Sequence, residues 1–106
     1  MTAPESNAPY YLIFDAEIRD PERFRLYADQ VQPLIEAAGG RFLIQGGEIH
    51  MYEGDWNPSR IAVMAFSSKE AWDSFYFSNA YEPIKAIRHE ASAGRLIGVE
   101  GLPPMP

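Results

Sequence analysis

The amino-acid sequence predicts an α+β fold, a ferredoxin-like split βαβ sandwich with an antiparallel sheet. Three observations carry the prediction. Periodic segments follow one another as strand, helix, two strands, helices, strand, which is the chain order of that sandwich. The first strand has one wholly apolar face and one mixed face, as a strand does when its two sides meet different surroundings. The helices suffice to cover only one face of such a sheet, so the other face is left for solvent or for a second subunit enclosing a cavity.

The elements can be justified in order. Tyr10 to Ile18 (YYLIFDAEI) is rich in aromatic and branched residues and is bounded by Asp20-Pro21, as a strand would be. Alternation puts Tyr10, Leu12, Phe14, Ala16 and Ile18 on its apolar face and Tyr11, Ile13, Asp15 and Glu17 on the other. Asp20, Pro21 and Glu22 read as an N-cap, a first-turn proline and an acid at the positive end of a helix dipole. Phe24, Tyr27, Ala28, Val31, Ile35 and Ala38 then recur at helical spacing, and Gly39-Gly40 stops the helix. Pro33 cannot donate to the carbonyl four residues back, which predicts a kink or break near Gln32 and a short second segment to Ala38.

Arg41 to Gln45 (RFLIQ) and Glu48 to Glu53 (EIHMYE) read as strands around Gly46-Gly47, either a tight turn or a Gly bulge in one long bent strand. Turn residues from Gly54 to Ser59 lead into the apolar strand Arg60 to Phe66, completing a hairpin. Ser67 and Glu70 form a capping box opening a helix that buries Ala71, Trp72, Phe75 and Tyr76, and Ser78-Asn79 ends or bends it. A further helix is expected from about Tyr81 to Ala91, with Pro83 in its first turn, and a last strand from Arg95 to Glu100 after Gly94. Residues 10–101 thus make one domain, with Pro-rich tails at 1–9 and 102–106 expected to be poorly ordered.

Composition excludes several functions. The 106 residues are 46% hydrophobic and 23% charged, the balance of one compact domain. A chain of this size buries only about 65% of its unfolded surface, so a partner copy would help its stability. Nine Lys and Arg against fifteen Asp and Glu give a net charge of −6, with no basic run to neutralise successive phosphates, which argues against nucleic acid and anionic membrane as partners. The absence of Cys removes disulfides, thiolate nucleophiles and thiolate metal sites. No signal peptide or long apolar run is present, which makes a cytoplasmic location the expectation. There is no Gly-x-Ser-x-Gly elbow, phosphate loop or dinucleotide fingerprint. No spacing of the two His with Asp or Glu marks a metal site, and neither a metal nor a cofactor is expected.

Asp20-Pro21, Gly39-Gly40-Arg41-Phe42-Leu43, Gly46-Gly47, Glu53-Gly54-Asp55-Trp56, Arg60, Tyr76-Phe77-Ser78-Asn79-Ala80-Tyr81, Arg88 and Gly94-Arg95-Leu96 to Glu100-Gly101 together resemble the domain-of-unknown-function 1330 family. That family lies in the dimeric α+β-barrel superfamily. Phe75 stands where the family pattern has Trp, and Gln45 where a basic residue is common. The resemblance implies a homodimer whose two sheets form a barrel. It also implies kinship with cofactor-independent monooxygenases, aromatic polyketide cyclases, muconolactone-type isomerases and dehydratases.

The residues that suit such chemistry form two groups. His50 alternates with Glu48 and Tyr52, and an imidazole moves protons near neutrality; its plainer role is a solvated edge His, the role also assigned to His89. Asp15, on the mixed face of the first strand, is a general base if its cavity is partly dry, or else a structural partner of Arg41 or Arg60. Arg41, Arg60 and Arg88 are guanidinium groups able to hold a carboxylate or enolate. The expected catalytic set is therefore His50, Asp15 and Arg41. Arg60, Arg88, Trp56, Tyr76 and Tyr81 are expected to bind substrate, joined by Glu53 of the Glu53-Gly54-Asp55-Trp56 motif. Taken with the resemblance, these residues imply a cofactor-independent acid/base enzyme that cyclises, isomerises or dehydrates an oxygenated, aromatic or polyketide-like metabolite in a pocket between sheet and helices. The alternatives are a non-catalytic ligand-binding protein and a cofactor-free monooxygenase.

Overall fold

The computed structural model describes residues 8–103. Strand β1 (Tyr10–Ile18) leads into helix α1 (Pro21–Ala37), then β2 (Arg41–Gln45), β3 (Ile61–Phe66), α2 (Lys69–Tyr76), α3 (Glu82–Ala91) and β4 (Ser92–Glu100). The sheet order is β2-β3-β1-β4, and every neighbouring pair is antiparallel. This is the ferredoxin-like α+β arrangement. No helix among the described residues is long and apolar enough to cross a membrane.

The apolar face of β1 forms the core: Leu12, Phe14 and Ala16 are buried together with Ala62, Met64 and Phe66 of β3. From the helix side Phe24, Tyr27, Val31 and Ile35 of α1 close over them, with Trp72, Phe75 and Ile84 from α2 and α3. The opposite face carries no helix among the described residues. Asp15 faces Ile61 and Arg95 there, Ile13 faces Val63 and Ile97, and Tyr11 faces Ala65 and Val99. Ile97 and Val99 keep 57% and 46% of their surface exposed, so an apolar surface stands open on this side of the sheet.

Helix α1 begins as its sequence requires, the Asp20 carboxylate accepting from the Arg23 backbone N–H at 3.1 Å, with Pro21 in its first turn. It ends at Gly39, whose φ of +86° is the left-handed cap. Gly40 follows because a Cβ there would lie 2.5 Å from the Phe66 ring.

Several sequence expectations are corrected. α1 does not break at Pro33 but runs on to Ala37 as one element. Pro33 and Asp29 both lie on the exposed side of the helix, so the Asp29 carbonyl that loses its helical donor at Pro33 is not sealed in the core. Glu48–Glu53 is not a strand. Gly46, at φ +76°, donates its N–H to the Ile61 carbonyl at 2.9 Å and turns the chain away from β3, so the segment beyond has no strand edge to pair with. The hairpin is formed instead by β2 and β3 across the whole connection 46–60. Gly46-Gly47 is neither a two-residue turn nor a bulge; the register shift lies between Phe42 and Ile44. The N-cap of α2 is Ser68, accepting from Ala71 N–H at 3.1 Å, one residue later than the capping box placed it. β4 starts at Ser92, three residues early, because it pairs with β1 along its whole length. The expected tails fall outside the described residues at 1–7 and 104–106, while Pro9 is held to the sheet through its carbonyl, which accepts from Gly101 N–H at 2.8 Å.

Candidate functional site

The strand period of two decides which polar residues meet the helices. Arg60 immediately precedes β3, and its carbonyl accepts from Ala16 N–H at 3.0 Å. Ala16 belongs to the buried face, so Arg60 turns toward the helices, where its guanidinium lies 5.4 Å from the centre of the Phe24 ring. Gly46 permits this course, since a Cβ there would sit 2.8 Å from Arg60 Nε. On α3, Arg88 is only 7% exposed and its guanidinium lies 5.1 Å from the Phe14 ring centre. Arg88 Nη1 donates to the Tyr81 hydroxyl at 3.1 Å, and that hydroxyl lies 3.0 Å from the hydroxyl of Tyr27.

Between these groups is a cavity of about 40 Å³, lined by Tyr27, Arg60 and Arg88, with Gln32 and Gln45 at its exposed rim and Phe14, Phe42 and Met64 as apolar wall. That volume has room for about two or three waters, or for the charged end of a larger molecule. Among the described residues neither arginine has a carboxylate partner and no acid or imidazole lines the cavity. A buried cation without a counter-charge is costly unless neutral dipoles or a ligand anion offset it.

The surroundings tune two neighbouring groups. Burial, and secondarily the adjacent Tyr27, push the Tyr81 hydroxyl well above the ordinary tyrosine range, so it keeps its proton. His89 Nε2 lies 3.1 Å from Arg88 Nη2; because arginine only donates, the imidazole accepts there and carries its proton on Nδ1. Partial burial, then the positive charges of Arg88 and Lys85, lower the His89 pKa below 6.5.

The structure separates the residues that the sequence grouped. Asp15 lies on the helix-free face, where its Oδ2 accepts from Trp56 Nε1 at 3.1 Å and from Arg95 Nη2 at 2.9 Å. Its partner is thus neither Arg41 nor Arg60. This three-residue latch ties the 46–60 connection over an open groove of about 880 Å³. Arg60 is on the opposite face of the sheet from Asp15, so the two cannot meet. Arg41 pairs with Ala65, four residues along β3 from the partner of Asp15, or about 13 Å along the strand and two strands across. His50 is exposed in the connection, with Nε2 3.9 Å from Glu48, and Glu53 is exposed nearby. Tyr76 packs on Trp72 and under Lys85, outside both cavities. His89 is exposed as expected, but engaged with Arg88. Among the described residues no group of His, Asp and Glu is placed to hold a metal ion.

Arg60 and Arg88 therefore line one cavity, with Tyr81 bonded to Arg88 but not itself a lining residue, and His50, Asp15 and Arg41 do not line it. Sequence reasoning missed Tyr27, which reads as one more member of the α1 stripe. The signal was available: a tyrosine in a fully buried stripe must find a partner for its hydroxyl.

The profile of the family described as Domain of unknown function (DUF1330) matches residues 9–102. No curated protein matches the sequence. Among solved structures, a protein of unknown function from Rhodopseudomonas palustris is similar at 20% identity and a TM-score of 0.75, covering 92% of this chain and 85% of that one. A hypothetical Arabidopsis thaliana protein is similar at 17% identity and a TM-score of 0.63, covering 97% and 94%. SnoaB, a cofactor-independent oxygenase from Streptomyces nogalater, is similar at 10% identity and a TM-score of 0.55, covering 95% and 98%. At such identities the likeness shows the fold alone.

The state of His89 has a measurable consequence. Its folded pKa lies below 6.5, so the unfolded chain takes up the proton first. Stability present above that pH is lost as the pH falls below it. Chemical denaturation from about pH 7.5 down to about pH 5.5 should therefore destabilise the parent more than His89→Gln. Equal losses would show that His89 is not held neutral.

Proposed function

The chain belongs to the DUF1330 family, and from that membership and the cavity between sheet and helices we propose that it is a cytoplasmic, homodimeric enzyme that binds an enolisable, oxygen-rich metabolite and stabilises its enolate without a cofactor. The observation that carries this reading is the pair Arg60 and Arg88, two guanidinium groups lining one apolar cavity with no carboxylate opposite either among the described residues. Donors fixed in a largely enclosed site favour negative charge developing on a substrate oxygen more than the same donors would in bulk water. Because no acid or imidazole among the described residues lines the cavity, the substrate has to bring its own acidity, as a 1,3-dicarbonyl or anthrone-type compound does. Its C–H bond breaks with the electron pair moving onto the carbonyl oxygen and the proton passing to water. The enolate carbon then attacks a second carbonyl of the same molecule, whose alkoxide water reprotonates, or takes a proton back from water at another position, or expels a leaving group. The substrate body displaces Gln32 and Gln45 at the rim, while the anionic oxygen takes the inner end.

Deuterium exchange tests this without knowledge of the natural substrate. The parent should accelerate exchange of enolisable C–H groups with D₂O across a panel of 1,3-dicarbonyl and anthrone-type compounds, and Arg60→Ala should lower that rate about 10²-fold. Binding without accelerated exchange would instead mark a ligand-binding protein. Oxygen consumption would mark an oxygenase, the activity carried by the fold relative SnoaB.

The homodimer is supported by the helix-free face, where Ile44, Ile97 and Val99 stand exposed beside Ile13 and Val63. Light scattering should give twice the chain mass of 12.0 kDa, and Ile97→Glu should give the single-chain mass with the fold intact. A single-chain mass for the parent would remove the dimer.

A further inference from the structure

We propose that Tyr27 is the group that recognises the ligand's anionic oxygen, its hydroxyl presented to the cavity by a one-way hydrogen-bond chain that starts at Arg88 and passes through Tyr81. The inference rests on the reading of the cavity as an enolate site, and adds to it the residue that contacts the oxygen and the means by which it is oriented.

The direction of the chain follows from which groups can donate. Arg88 only donates: Nη2 to His89 Nε2 at 3.1 Å and Nη1 to the Tyr81 hydroxyl at 3.1 Å. The Tyr81 oxygen thus already accepts. Tyr81 is 1% exposed, so its own proton also needs an acceptor, and the Tyr27 hydroxyl oxygen at 3.0 Å is the one within reach among the described residues. Tyr81 keeps that proton, its ionisation being suppressed by burial. With its oxygen accepting from Tyr81, Tyr27 has its O–H free, and no other hydrogen bond is made by this hydroxyl among the described residues. Tyr27 is itself buried and lines the cavity beside Arg60 and Arg88. Each link polarises the next in the same sense, from the cation outward.

The inner end of the cavity therefore offers donors only. It suits an enolate, phenolate or carboxylate oxygen and rejects an ammonium or any group that has only protons to give. Tyr27 would touch the ligand beside Arg60 and Arg88; Tyr81 is a positioning residue that acts through Tyr27, and His89 is one that holds Arg88.

The test uses 4-nitrophenol, a probe whose absorbance distinguishes phenol from phenolate in the bound state. The parent should bind the phenolate in preference to the phenol. Tyr27→Phe should weaken phenolate binding about tenfold, and Tyr81→Phe by a smaller factor. In the double variant the Tyr81 change should add nothing, because it acts only through the Tyr27 hydroxyl. Circular dichroism checks the fold of each. Should Tyr81→Phe not fold, the parent and Tyr27→Phe decide alone: the loss on Tyr27→Phe must be larger for the phenolate than for the phenol form of the probe. Phenolate binding by the parent that is indifferent to Tyr27→Phe, or a Tyr81 effect of equal size in both backgrounds, would overturn the proposal while leaving the cavity reading intact. Failure of the parent to bind phenolate at all would overturn both.

Discussion

A guanidinium shut between a sheet and its helices, with no carboxylate among the described residues to meet it, constrains everything around it. Arg88 is satisfied by neutral groups: the Tyr81 hydroxyl, the His89 imidazole and the face of Phe14. Each of these is then committed. Tyr81 must accept from Arg88 and so must donate onward, and His89 must stay neutral to keep accepting. A carboxylate in the place of any one of them would have made Arg88 an ordinary buried ion pair. Its lack leaves a field that favours a negative charge in the cavity beside it.

Strand alternation decides which residues share that field. Helices cover one face of the sheet, and residues one apart along a strand lie on opposite faces. Arg60, paired with Ala16, joins the covered face, whereas Asp15 one residue before Ala16 joins the open one. The Asp15 carboxylate is thereby kept away from both cavity arginines and is spent on Trp56 and Arg95, where it fastens the 46–60 connection. Separation of acid from base across the sheet keeps the cavity cationic even though the whole chain carries a net charge of −6.

The fold was largely legible because its signals are local. The period of two in YYLIFDAEI, the Asp20-Pro21 start and the Gly39-Gly40 stop each act within a few residues, and β1 and β2 have the expected bounds. The misreadings arose where local preference met a non-local condition. EIHMYE has strand propensity but no edge to pair with, and Pro33 sits on the exposed side of its helix, where the bond it removes is not one the core must supply. The site was less legible. Arg60, Arg88 and Tyr81 could be named as binding residues, yet the meeting of Arg60 and Arg88 at one cavity depends on which face Arg60 takes, and one residue of register reverses that. Tyr27 was hidden because its ring satisfies the apolar stripe and only its hydroxyl carries the second role.

The central claim is that the cavity between sheet and helices is built for an anion. Native mass spectrometry of the protein as isolated tests it most directly. The account predicts that the parent retains an acidic, enolisable metabolite and that Arg60→Ala has lost it. A retained basic metabolite, or an acidic one held equally by Arg60→Ala, would contradict it.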